Sequence, residues 1–264
     1  MNFSFTPERL QALERSVSAE RLAYYVAESG GDLESGLRLY NLNARLSAAF
    51  YGPLQGLEVT VRNAINDQFC ETFGPNWYDL ALIRLQPQQI RDVQDAIAEA
   101  GKHDGVPVDV APTIGEIVAE MRFAFWVGVL GPKNENEIWR KALHRAFPNR
   151  PRGIERKGVH GALNSLRRLR NRIAHHGRIL HRDLVADHDL ILELVGWVCP
   201  HSREWIAANS TFDAANLPIR QPTLPIEGLP AEGIVAPPSQ LAETIYAATQ
   251  GGRPRLSIKG NKSS

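Results

Sequence analysis

Apolar residues recur every three or four positions along most of the first 210 residues, and this spacing predicts helices nearly everywhere. Thr6-Pro7-Glu8 reads as an N-cap, a proline at the first helical position and an early acid. The helix they open is expected to run to about Ser29 and to close at Gly30-Gly31. Asp32 caps a second helix with Leu33, Leu37, Tyr40, Leu42 and Leu46 on its apolar face, expected to end at Gly52-Pro53. A third carries Leu54, Leu57, Val61, Ile65 and Phe69 and stops at Gly74-Pro75. Three helices of roughly 20 residues joined by short turns predict antiparallel neighbours.

Residues 86–100 form a more polar helical pattern, followed by a Gly/Pro/Asp loop through Pro112. Ile114 to Leu130 is strongly apolar and expected at the centre of the core, with a short helix from about Glu135 to Phe147 after it. The next helical pattern, 159–176, carries the stripe Val159, Leu163, Leu166, Leu169 and Ile173. Asp183 caps a further helix from Leu184 to about Ala208, bent at Pro200. No period-two strand pattern competes, so the fold expected is all-α, with a helical domain over 1–215. Prolines then cluster from Pro218 to Pro238, which predicts an extended Pro-rich arm over 216–238. Residues 239–264 read as one short helix and a basic tail of disordered composition.

Composition places this chain among ordinary globular proteins, at 43% apolar and 22% charged over 264 residues. No window approaches the ~18 apolar residues of a membrane span, and the N-terminus lacks the positive region and apolar core of a secretory signal. Cys70 and Cys199 lie far apart, as buried free thiols do, and a cytoplasmic protein is expected. Net charge, +1, hides a strong asymmetry. Between Arg140 and Arg182 stand 13 Lys and Arg against the single acid Glu155, or +12 over 43 residues, which leaves −11 on the rest. Such a segment either meets a polyanion, nucleic acid first, or pairs with acidic helices of the same protein.

Within it lies Arg170-Asn171-Arg172-Ile173-Ala174-His175-His176. Asn171 and His175, four apart, share the helix face opposite the apolar stripe, whereas Arg170 and His175 stand ~140° apart on a straight helix. A core needs none of these polar groups. RNA cleavage without metal needs a base for the 2′-hydroxyl proton, an acid for the 5′-oxygen and a cation for the charge on phosphorus. Imidazole suits the first two roles near neutral pH, and a guanidinium, which keeps its proton and forks onto two oxygens, suits the third. Asn171 adds an orienting hydrogen bond without charge. For Arg170 to meet His175 at one phosphate, the Arg side chain must reach far round the helix, the helix must loosen at its end, with Gly177 as the natural terminator, or a second subunit must contribute.

Arg170, four intervening residues and His175 resemble the R-x4–6-H motif of HEPN-domain ribonucleases, and the chain is similar to the Abi-like (abortive infection) branch of that superfamily. Two blocks carry the resemblance, over roughly residues 20–200. One comprises Gly31-Asp32-Leu33-Glu34, Leu39-Tyr40 with Asn43, Leu46-Ser47 with Ala49-Phe50-Tyr51, and Leu57-Glu58-Val59 with Val61-Arg62-Asn63-Ala64-Ile65. The other is Leu166-Arg167, then Leu169 through His176. It implies a HEPN-like helical bundle, frequently a homodimer whose two motifs face one cleft, and a cofactor-free endoribonuclease acting as a toxin in phage defence, with a cognate antitoxin as a candidate partner. Arg170 and His175 would be its catalytic pair, with Asn171 supporting.

His176, Arg172, Arg167, Glu58, Arg62 and Asn63 are candidates for supporting or RNA-contacting roles. Glu58 and Arg62, four apart, also suit an ordinary intrahelical ion pair. His176 suits a carbonyl partner as well as it suits catalysis, and Arg172 suits a snorkelling side chain as well as a phosphate contact. His181, His188, Asp187 and Asp189 match no recognisable metal-ligand spacing, so no metal is expected. Trp126, Trp139, Trp197 and Tyr40 read as core residues rather than base-stacking platforms. The alternative to a ribonuclease is a non-catalytic module that binds RNA, nucleotide or an acidic protein partner through the same basic helix.

Overall fold

The computed structural model describes residues 3–107 and 109–217. The arm expected over 216–238 falls almost wholly beyond them, and the tail expected over 239–264 does so entirely. Among the described residues the fold is all-α apart from a two-residue ladder. Its helices are α1 (Pro7–Val17), α2 (Ala19–Glu28), α3 (Leu33–Phe73), α4 (Pro87–Ala100), α5 (Ile114–Glu120), α6 (Phe123–Gly128), α7 (Arg156–Ala174), α8 (Leu184–Val198) and α9 (Pro200–Asn209). Among the described residues none is long and apolar enough to cross a membrane.

Helix α3 is the axis of the molecule. The expected stop at Gly52-Pro53 does not occur, and 41 residues run as one helix with Pro53 buried inside it. Proline removes one backbone hydrogen bond, but Leu46, Phe50, Leu54, Leu57, Val61, Ile65 and Phe69 form one uninterrupted buried stripe across the site. Tertiary burial of that stripe outweighs the local breaker. The opposite happens in the first helix, which splits at Ser18. That residue takes φ +80, and its hydroxyl accepts from the Arg21 N–H at 3.3 Å, capping α2. α2 then lies so close along α3 that a Cβ on Gly36 would stand 3.0 Å from the Val26 backbone.

The apolar stretch 114–130 is interrupted by extended backbone at Met121 and Arg122, giving α5 and α6. In place of a helix over 135–147 stand a 3-10 turn at Pro132–Asn134, a π turn at Glu135–Trp139 and a 3-10 turn at Leu143–Ala146. Lys102–His103 pairs antiparallel with Val106–Pro107 around Asp104 (φ 51) and Gly105 (φ 78), an Asp-Gly turn of the kind that closes two-residue hairpins. At Cys199 the chain becomes extended rather than merely bending, which separates α8 from α9.

The core gathers Leu57, Val61, Ile65 and Phe69 of α3, Phe125 and Trp126 of α6, Leu163, Leu166 and Leu169 of α7, and Ile191 and Leu194 of α8. Trp126, Trp139 and Trp197 are buried, as expected of core residues, while Tyr40 is half-buried with its ring edge-on to Tyr25 at 5.3 Å. Packed on this core by its apolar stripe, α7 presents its polar face and its C-terminal end outward.

Candidate functional site at the end of α7

The helix ends at Ala174, before both histidines. The His175 N–H donates to the Asn171 carbonyl at 3.0 Å, the His176 N–H to Ile173 at 2.9 Å and the Gly177 N–H to Arg172 at 2.7 Å. This is a Schellman-type cap, but its left-handed residue is His176 (φ 53), not the expected Gly177. Gly177 serves close approach instead, because a Cβ there would stand 2.7 Å from Cγ of Arg172.

Distant residues pin the segment that follows. Asn43 of α3, 4% exposed, donates through Nδ2 to the Gly177 carbonyl at 3.3 Å and accepts from the Ile179 N–H at 2.8 Å. Arg21 of α2 donates through Nη2 to the His176 carbonyl at 2.6 Å and through Nε to the Tyr40 hydroxyl at 3.3 Å. The Arg178 guanidinium lies over the Tyr24 ring, 4.1 Å from its centroid. Sequence reasoning did not find the roles of Asn43 and Arg21, since their partners lie 134 and 155 residues away.

On one side of this cap is an open cleft of about 520 Å3 lined by Arg168, Asn171, Arg172, His175, Gly177, His181 and Arg182. Asn171 and His175 share it, and among the described residues no carboxylate lines it. Arg182, unassigned in the sequence, is held by Asp187 through two hydrogen bonds of 2.6 Å. Those bonds raise the Arg182 pKa against the opposing effect of burial. Arg172 reaches the Arg178 carbonyl at 3.3 Å.

Arg170 does not line this cleft. It leaves the opposite flank of α7 and lies 3.5 Å, Nε to Oε2, from Glu58 of α3. Glu58 therefore pairs across helices with Arg170 instead of along its own helix with Arg62, whose Nε is buried without a hydrogen-bond partner. Asn63 is not brought to this end of the molecule: it lines a groove of about 630 Å3 between α3 and α9, with Trp205 and Ile206. Arg167 is tied to Asn164 Oδ1 at 3.0 and 2.9 Å. Burial, with Arg156 and Arg167 adding to it, depresses the pKa of His160, about two turns earlier on α7. His176 lines a second cleft, on the α3 side of the cap.

Much of the +12 segment is used within the fold. Arg156 is buried, bonded to Glu135 and, at 2.9 Å, to the Leu130 carbonyl. Arg145 bonds Gln68 and Thr72, each at 2.8 Å, Lys141 pairs with Glu137 at 2.7 Å, and Arg150 lies over Trp139. Arg168, Arg172 and Arg182 line the His175 cleft, Arg182 being paired there with Asp187. Two of the four residues that invited a metal reading are likewise drawn into other contacts. Asp187 serves Arg182, and His188 bonds Ser210 at 2.9 Å and stacks on Phe212. Among the described residues no group of three His, Cys, Asp or Glu could hold a metal ion.

No protein-family model, curated protein or solved structure matches the chain.

Proposed function

We propose that the chain is a metal-independent endoribonuclease of the HEPN, Abi-like type, a toxin of phage defence acting by abortive infection in the cytoplasm. One observation carries this reading: His175 and Asn171 stand in a cleft with three arginines and no carboxylate, at the exposed end of a helix anchored in the core. Imidazole of His175 takes the proton from a 2′-hydroxyl, whose oxygen attacks the adjacent phosphorus. The 5′-oxygen leaves with a proton, giving a 2′,3′-cyclic phosphate and a 5′-hydroxyl. Asn171 orients the phosphate or the imidazole by hydrogen bonding. Arg168, Arg172 and Arg182 hold the backbone as counter-charges. The same cationic cleft would take the acidic side chains of a cognate antitoxin.

Arg170, the expected stabiliser of the charge on phosphorus, points to Glu58 on the other flank of α7. In this reading the Arg170 that meets a given His175 comes from a second copy of the chain, in a homodimer that brings the two helix ends together. That same separation favours the alternative, an RNA-binding module that grips phosphate without cleaving it.

Incubation of the full chain with structured RNA in EDTA separates the two. Cleavage to 2′,3′-cyclic phosphate ends, abolished in His175→Ala, is the expected result. Arg170→Ala is expected to lose cleavage with RNA binding only mildly weakened, because Arg168, Arg172 and Arg182 still line the cleft. Binding without cleavage by the parent chain identifies the non-catalytic module, and cleavage undiminished in His175→Ala removes His175 from the chemistry.

A further inference from the structure

The second cleft, of about 590 Å3, takes no part in the cleavage chemistry above. That size falls in the ~300–1,000 Å3 range of ligand sites. Ala44, Ala48 and Ala174 give it small apolar walls, and Tyr51, Arg21 and His176 line it as the larger polar and aromatic groups. No carboxylate lines it. Tyr51 is 69% exposed although it sits in the middle of the 41-residue α3, on backbone fixed by the core. A large aromatic side chain this open on a rigid element offers a ring face for stacking. Arg21 already bridges the His176 carbonyl and the Tyr40 hydroxyl, so this part of the cleft is ordered before any ligand arrives.

The two clefts share no lining residue but flank the α7 cap: His175 lines the first and His176, the next residue, lines the second. Only the cap separates a phosphate at His175 from the cleft that holds Tyr51. We infer that the second cleft is a subsite for an unpaired nucleobase of RNA, stacked on the Tyr51 ring beside the phosphate held in the His175 cleft. This rests on the ribonuclease reading and adds to it the class of substrate, since bases are free to splay onto aromatic rings in single strands and loops but not within a duplex. The π face accepts any base, so the subsite selects single-stranded character rather than sequence.

The test is fluorescence anisotropy with the full-length chain in a His175→Ala background, which prevents turnover. A short single-stranded RNA is compared with an abasic oligomer of the same length and phosphate count. Base–aromatic stacking of about 1–3 kcal/mol corresponds to a preference of roughly 5- to 150-fold for the RNA. Tyr51→Ala and Tyr51→Leu should erase that preference, Tyr51→Phe should keep it, and the salt dependence should be the same in all. A preference unchanged in Tyr51→Ala overturns the subsite. So does a change in molecular mass by light scattering without a change in preference, which would make this face a contact between copies of the chain. In either case the ribonuclease reading stands if the parent chain still cleaves through His175. If neither oligomer binds, that reading and the subsite fall together.

Discussion

Asn43 and His176 together decide how the end of α7 is presented, and each makes a prediction. Asn43→Ala leaves the buried Ile179 N–H without an acceptor and the Gly177 carbonyl without a donor. A buried unsatisfied group of this kind costs about 1–3 kcal/mol, so urea denaturation should show a loss of that order. Under the ribonuclease reading its cleavage rate should fall more than its RNA affinity, because the cleft arginines remain while the His175 backbone loses its support. His176 sits at φ 53, where a residue with a Cβ is disfavoured by roughly 1–2 kcal/mol. His176→Gly removes that penalty and should raise the melting temperature while cleavage persists. Loss of cleavage in a stabilised variant would instead give the His176 imidazole a part in the chemistry. Helix periodicity made the relation among Asn171, His175 and Arg170 legible from the sequence, because it depends only on local geometry. It could not choose between His176 and Gly177 for the left-handed position. That choice depends on the Arg172 side chain packed against Gly177 and on Asn43 and Arg21, reached only through the tertiary fold.

At the scale of elements, the apolar pattern located nearly every helix, and its errors fall where local breakers and tertiary packing disagree. Gly52-Pro53 carries the same Gly-Pro stop signal as Gly74-Pro75, where α3 does end, yet the buried stripe on both sides of Pro53 holds the helix continuous. Ser18 carries no such signal, and the chain turns there so that α2 can fold back onto α3. Gly36 is what allows that contact. A methyl group at this position would meet Val26 Cγ2 at 2.8 Å and the Val26 Cα and N at 3.0 Å. Backbone cannot yield as a side-chain terminus does, so Gly36→Ala should push α2 outward and cost about 1–3 kcal/mol. The displacement has a reach beyond stability, because α2 carries Arg21, which holds the His176 carbonyl, and Tyr24, under Arg178. Hydrogen exchange should therefore rise at residues 176–179 in Gly36→Ala as well as along α2. Faster exchange confined to α2 would mean that the α7 cap does not depend on it.

For the whole molecule, the decisive question is whether one chain or two make the site. The sequence made the all-α fold and the basic segment legible, but not how much of that charge folding consumes. Arg156 is buried against Leu130 and Glu135, while Arg145 and Arg150 spend their guanidinium groups on Gln68 and Thr72 and on Trp139, partners that come together only in the tertiary fold. What remains at the cleft is enough to hold phosphate, and Arg170 is directed elsewhere. If Arg170 of one copy serves His175 of another, two inactive variants should complement each other. In a mixed dimer of Arg170→Ala and His175→Ala chains, one site joins the intact Arg170 of one copy to the intact His175 of the other, and the second site has lost both. Random exchange makes half of the dimers mixed, each with one working site of two, so the mixture should regain about a quarter of parental cleavage. A site built within one chain predicts no recovery, because every chain in the mixture lacks one of the two groups. Co-refolding the variants and measuring cleavage in EDTA distinguishes these outcomes, and no recovery, with exchange verified by a tagged chain, would mean that Arg170 acts from within its own chain.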